Sequence, residues 1–152
     1  MRIVIQRVKY ASVTIDGKVN GKIDKGIMAL IGFKEGDDES LLKPMAEKMT
    51  GLRIFEDEDE RMNLALSDVG GEILAISQFT LYADCKKGKR PSFIGALKPD
   101  AANDLYNKFV GLCDALTGKK TQTGIFGADM KVELLNDGPV TIILDSDEIV
   151  KK

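Results

Sequence analysis

The chain has 152 residues, 43% of them hydrophobic and 30% charged, with 22 basic and 24 acidic side chains for a formal net charge of −2. That balance describes an ordinary soluble globular protein and excludes bulk electrostatic binding of nucleic acid, so any RNA or DNA site has to be a local patch. There is no histidine, which excludes Ser-His-Asp and Cys-His mechanisms and imidazole zinc sites, and leaves proton transfer to carboxylates, Lys, Tyr, backbone, water or the substrate itself.

Residues 2–8 alternate apolar and polar, the period of a half-buried strand. Residues 11–15 and 19–23 flank Asp16-Gly17, a hairpin signal. Residues 26–33 are a continuous apolar run, as in a strand buried on both faces. Asp37 and Asp38 can cap a helix over 39–51, with Leu42, Met45, Ala46 and Met49 at helical spacing. A short strand is predicted over 52–55, then an acidic run over 56–60. That run reads as a solvated turn, since a calcium loop needs spaced ligands and a central Gly. Residues 68–71 read as a turn. Residues 72–78 form a strand that 79–82 extends, and 86–92 make a basic loop. Pro99 opens a helix whose apolar face carries Leu105, Phe109, Leu112 and Leu116 and which Gly118 ends. Strands over 131–135 and 140–144 are joined by Asn136-Asp137-Gly138-Pro139, and the polar tail over 145–152 is expected to fray.

Two helices cannot cover both faces of that much sheet, so the expected architecture is α/β with layered mixed β-sheets. The length suits a single domain over 1–152 with a core that needs no staples. Cys85 and Cys113 are too far apart for a CxxC motif and too few for a four-Cys metal site, so neither metal nor cofactor is expected. The opening residues do not read as a signal peptide, and no stretch approaches the ~18 apolar residues of a membrane span. A cytoplasmic location with no membrane contact is the expectation.

Four segments carry chemistry. Ser77-Gln78-Phe79-Thr80 ends a strongly apolar strand, where sheet proteins place binding groups. No base lies near its hydroxyls in sequence, which disfavours covalent catalysis. Gly138-Pro139 is a candidate cis bond, although trans is the usual state of X–Pro bonds. Lys86, Lys87, Lys89 and Arg90 form the local basic patch and suit phosphate contact. Residues 124–130 hold two Gly with Phe126 and Met130, either a wall for a flat base or a loop tucked into the core.

Taken together, residues 1–8, 11–13, 52–56, 77–83, 87–93, 124–130 and 136–141 resemble the motifs of the D-aminoacyl-tRNA deacylase family, in family order and over nearly the whole chain. Ser77–Leu81 (SQFTL) and Asn136–Thr141 (NDGPVT) are the most specific of them. The resemblance implies an α/β/β-layered hydrolase of the ester between a D-amino acid and the terminal adenosine of tRNA, active also on mischarged glycyl-tRNA. It implies a homodimer with pockets at the subunit interface, whose partner is the aminoacyl-tRNA 3′ end and not DNA. Carried over to this chain, Ser77, Gln78, Phe79 and Thr80 line the pocket. Gly138-Pro139 enters as a cis dipeptide from the partner subunit, and Arg7 steadies it across the interface. Phe126, Gly127, Ala128 and Met130 lie near the adenosine. The chemistry fits a histidine-free chain: main-chain N–H groups near Phe79 and Thr80 stabilise the oxyanion, and the ribose 2′-hydroxyl positions or activates water. Two competing readings are a Thr80 nucleophile and a non-catalytic RNA-end binding module built on the basic loop.

Overall fold

One strand organises the molecule in the computed structural model, which describes residues 1–151. Strand β1 (Arg2–Ile15) runs unbroken where the sequence suggests two segments. The reason is β8 (Lys131–Asp145), which pairs antiparallel along both halves and bridges them through Val8 and Tyr10. On its other edge β1 pairs antiparallel with β3 (Gly26–Gly32) through residues 2–8 and with β2 (Lys18–Ile23) through residues 11–15. Strand β6 (Glu72–Ser77) lies parallel to β3, and β7 (Gln122–Thr123) parallel to β6, completing a six-stranded sheet.

The sheet curls along β1. Ile3 and Ile5 belong to the core beneath the helices, whereas Val8, Ala11 and Val13 belong to a second core with Ile23, Met28, Leu74 and Ile76. The β1–β8 register shifts twice between Gln6 and Tyr10. Such irregularities bend a strand and exchange the face that alternate residues present. The β2 end thereby swings over the opposite face toward β7, where Asn20 Nδ2 donates to the Thr123 carbonyl at 2.7 Å. Helices, one half of the sheet and the other half stack as the expected α/β/β layers. A small separate pair, β4 (Phe55–Glu56) and β5 (Met62–Leu64), brackets the acidic turn. There the Asp57 carboxylate accepts from the backbone N–H of Asp59 and Arg61 and from Asn63 Nδ2. Only Phe55 of the strand expected over 52–55 lies in β4.

Helix α1 (Leu42–Gly51) follows a 3-10 turn, Glu39–Leu41, whose Ser40 N–H donates to the Asp38 carboxylate at 2.9 Å. It buries Leu42, Met45, Ala46 and Met49, the residues its spacing predicts. Helix α2 (Pro99–Thr117) starts at Pro99 and ends at Gly118 with φ +70°. Its buried face centres on Phe109 and takes in Tyr106 and Cys113, so Leu116 is 45% exposed rather than buried. Burial pushes the Cys113 thiol up to about 12. The tail does not fray at residue 145: Ser146–Ile149 forms a short helix (α3), and Ser146 Oγ accepts from the Met1 ammonium at 2.9 Å. Lys152, the end of that expected tail, lies outside the described residues.

Candidate functional site

The parallel strands β3 and β6 end side by side, with Ile31 opposite Ser77. Parallel sheets place ligands just beyond such carboxyl ends, and a cavity of about 480 Å³ opens there. Ile31, Gly32, Phe33 and Ser77 form its floor. Phe79, Phe93 and Ile94 stand at one side, the start of α2 (Lys98, Pro99, Ala102) at another, and Phe126 and Gly127 at a third. A larger open cleft of about 760 Å³ lies between residues 34–41 and the tail. It is lined by charged groups, among them the Lys34–Asp147 pair, and gathers none of the expected site residues.

Residues after Ser77 do not extend β6. Gln78 N–H donates to the Ile31 carbonyl at 2.8 Å and ends the ladder; Phe79–Tyr82 then turns as a 3-10 helix. Leu81 N–H reaches the Gln78 carbonyl at 3.3 Å, the first bond of that turn. The N–H groups of Phe79 and Thr80 precede it, in the first turn of the 3-10 helix, where no intrahelical carbonyl is available to them. Gln78 Nε2 donates to Thr80 Oγ1 at 2.5 Å, so the threonine hydroxyl is held by an amide, not a base. Ser77 and Phe79 line the cavity; Gln78 and Thr80 do not.

The turn is braced from two sides. A Cβ on Gly32 would sit 2.8 Å from the Gln78 carbonyl oxygen and 3.1 Å from Leu81 Cβ, so the turn packs directly on glycine backbone. Arg2 Nη1 donates to the Leu81 carbonyl at 2.9 Å, pairs with Asp145 at 3.0 Å and lies over the Tyr82 ring. Burial raises the Tyr82 hydroxyl above its ordinary value, which keeps it protonated and unsuited to act as a base near neutrality.

Backbone bonds between Asp84 and Ser92, at 2.7 and 2.9 Å, close the basic loop at its base. Lys86, Lys87, Lys89 and Arg90 are all exposed on it, and the chain passes directly from it into Phe93 and Ile94 at the cavity. The expected wall over 126–130 divides: Phe126 and Gly127 line the cavity, Ala128 N–H bonds back to Ile125, and Met130 packs into the second core. A Cβ on Gly124 would lie 2.2 Å from Met130 Sδ, so that glycine makes the room Met130 occupies.

Asn136-Asp137-Gly138-Pro139 does not reverse the chain between two strands. It is a bulge within β8, opposite Arg7, with β8 resuming in the same direction at Val140. Asn136 closes its base: the side-chain oxygen accepts from Val140 N–H at 2.8 Å, and Nδ2 donates to the Val140 carbonyl at 3.1 Å. The Gly138-Pro139 bond is cis. Gly138 has φ +152°, and a Cβ there would meet Val140 Cγ2 at 2.7 Å and Val140 N at 2.9 Å. Arg7 reaches the bulge of its own chain. Buried beneath the bulge, its Nε donates to the Asp137 carbonyl at 2.8 Å and its Nη1 to the Ile54 carbonyl at 2.7 Å. The bulge is not part of the cavity on its own chain. The register puts it three strands across from Ser77 and four residues back, roughly 20 Å along the sheet.

The cavity residues Phe93, Ile94 and Lys98 are absent from the expectations. An apolar pair directly after a basic loop was the available signal for the first two; Lys98 reads only as the residue before a helix. Among the described residues no group of three or more His, Cys, Asp or Glu could hold a metal ion, and no helix is long and apolar enough to cross a membrane.

Residues 4–145 match the family model described as D-Tyr-tRNA(Tyr) deacylase. Curated relatives named D-aminoacyl-tRNA deacylase include one from Fusobacterium nucleatum subsp. nucleatum, 58% identical over 96% of this chain and 96% of its own. Another, from Thermosipho africanus, is 51% identical over 98% of this chain and 99% of its own. Among solved structures, a chain titled c-Myc DNA Unwinding Element Binding Protein superposes with a TM-score of 0.89 at 38% identity, covering 95% of this chain and 98% of that one. A probable eukaryotic D-amino acid tRNA deacylase shares the fold, with a TM-score of 0.82 at 16% identity over 94% of this chain and 97% of that one.

Proposed function

The chain belongs to the D-Tyr-tRNA(Tyr) deacylase family, and on that premise we propose that it hydrolyses D-aminoacyl-tRNA at the cavity beyond Ser77, releasing the D-amino acid and tRNA. The observation that carries the site assignment is the 3-10 turn after Ser77: its Phe79 lines an apolar cavity, and the N–H groups of Phe79 and Thr80 lie in a first turn that offers them no intrahelical acceptor. Two N–H groups fixed by the fold stabilise the oxyanion that develops when water attacks the ester. Such a donor is worth about 3 kcal/mol of transition-state stabilisation in a hydrolase.

An aminoacyl ester is already activated, so a base of modest strength suffices. The terminal ribose 2′-hydroxyl positions or activates the water, in keeping with a chain that has no histidine. The hydroxyl of Thr80 is paired with the Gln78 amide, which cannot remove its proton, and this favours backbone donation over a threonine nucleophile.

Chirality is read by the Gly138-Pro139 bulge of a second copy in a homodimer. A rigid backbone carbonyl there collides with an L side chain, tolerates a D side chain on the opposite face, and admits glycine, which has none. The roughly 20 Å between bulge and cavity on one chain supports a contribution from the partner subunit. Lys86, Lys87, Lys89 and Arg90 contact the phosphates of the RNA 3′ end. A net charge of −2 favours this local grip over duplex DNA as partner. On this reading the chemistry calls on no metal or cofactor, and the protein works in the cytoplasm with charged tRNA.

The test is ester loss from D-Tyr-tRNA, Gly-tRNA and L-Tyr-tRNA. The D and glycyl esters are expected to turn over and the L ester to persist, while a tRNA ending in 2′-deoxyadenosine is nearly inert. Binding without turnover would identify a non-catalytic RNA-end module instead. Full hydrolysis of the deoxy substrate would end the assignment to the 2′-hydroxyl.

A further inference from the structure

The cavity carries an exposed apolar rim. Ile94 is 92% exposed, Phe79 53% and Phe93 38%. Their clustering is not incidental: the two phenylalanine rings meet edge to face at 5.1 Å and 72°, which fixes both orientations, and all three side chains line the same cavity. The backbone behind them is held firm. Ala96 N–H bonds to the Phe93 carbonyl at 3.1 Å, Glu35 N–H to the Gly95 carbonyl at 2.9 Å, and Leu97 N–H to the Phe33 carbonyl at 3.1 Å. Isolated exposed apolar side chains are ordinary on a surface, whereas a rigid exposed cluster marks a binding surface.

The occupant is indicated by what stands beside it. The residues just before Phe93 form the basic loop, whose Lys86, Lys87, Lys89 and Arg90 are exposed. Aromatic faces next to a cationic track are how proteins hold single-stranded nucleic acid, with bases stacked on the rings and phosphates on the cations. We propose that Phe93 and Ile94, with the Phe79 ring locked against Phe93, are a stacking platform for the unpaired nucleotide that precedes the terminal one. The cavity takes the aminoacylated terminal nucleoside, and the platform takes the next base and orients the strand toward the loop. This rests on the deacylase reading above and adds a subsite to it. Stacking does not discriminate among bases, so the platform binds this nucleotide whatever its identity.

The experiment compares two small D-tyrosyl esters, one on adenosine alone and one on a dinucleotide ending in adenosine, in the wild type and in the variants Ile94→Ser and Phe93→Ala. In the wild type the extra nucleotide is expected to lower KM by roughly tenfold, the size of one base–aromatic stack. Each variant is expected to lose most of that gain, with KM for the dinucleotide ester rising several times more than KM for the adenosine ester. Exchanging the penultimate base is expected to change KM by no more than about threefold. The proposal is overturned if the wild type gains nothing from the second nucleotide. It is equally overturned if both esters suffer alike in Ile94→Ser while sedimentation shows a shift toward monomer, which would make the patch a contact between copies. Loss of turnover on every substrate in the wild type is a different result, and rejects the deacylase reading itself. Phe93→Tyr, which keeps an aromatic face, is expected to restore the dinucleotide advantage.

Discussion

Arg7 is a charged side chain only 5% exposed, and its nearest carboxylate, on half-exposed Glu56, is 3.8 Å away. Its charge is satisfied mainly by two backbone carbonyls, those of Asp137 and Ile54. One residue therefore ties the bulge of β8 to the segment leading into β4. Replacement by methionine fills similar space but leaves both carbonyls without their donor. Arg7→Met is expected to cost about 3 kcal/mol, read as a fall in the urea midpoint. Under the proposed function it has a second consequence that lost stability alone does not produce. With the Asp137 carbonyl released, Gly138 loses its fixed position, so turnover of the L ester rises relative to the D ester in the surviving folded protein.

At the scale of elements, the site depends on strands that stop in the right place. Strand β6 stops because the 3-10 turn begins at Phe79, and the turn sits where it does because Gly32, at the end of β3, has no side chain. Gly32→Ala puts a methyl group 2.8 Å from the Gln78 carbonyl oxygen, backbone that cannot swing aside as a side chain would. Both proposed oxyanion donors move with it. Displacement of positioned groups by a fraction of an ångström costs rate, so kcat on D-Tyr-tRNA is expected to fall at least ~10-fold while KM changes little. Steady-state kinetics separate this from a loss of folded protein, which would lower the active fraction without this split when corrected by active-site titration. Bulge and turn share a logic: each interrupts a regular ladder, and each is shaped by a glycine that leaves no room for a Cβ.

For the whole molecule, the separation of cavity and bulge on one chain has a direct consequence. If each site takes its cavity from one subunit and its bulge from the other, defects in the two parts complement. A pocket variant such as Gly32→Ala, refolded at equal concentration with a bulge variant such as Gly138→Ala, yields mixed dimers with one intact site and one doubly defective site. Bulge-variant homodimers keep a cavity without its filter, so statistical mixing is expected to lower L-ester turnover to about half that of the unmixed parents while D-ester turnover stays about the same. L-ester turnover unchanged by mixing would place bulge and cavity function on the same chain.

Much of this was legible in the sequence. Alternation over 2–8, the apolar run over 26–33 and the helical spacing of Leu42, Met45, Ala46 and Met49 depend on near neighbours, and each reappears as an element with the expected buried face. The missing histidine and the motifs over 77–81 and 136–141 likewise pointed to a hydrolytic site without imidazole before any coordinates. Long-range pairing decided the rest. Pattern alone could not join 2–8 to 11–15, since β8, more than a hundred residues away, bridges the two halves through Val8 and Tyr10. Nor could it turn 79–82 out of the sheet, pack Met130 against the second core, or bring Arg7 to the Asp137 and Ile54 carbonyls. Those outcomes depend on which strand edge is free, which glycine leaves space and which carbonyl lacks a donor. Such quantities exist only once distant segments are packed together.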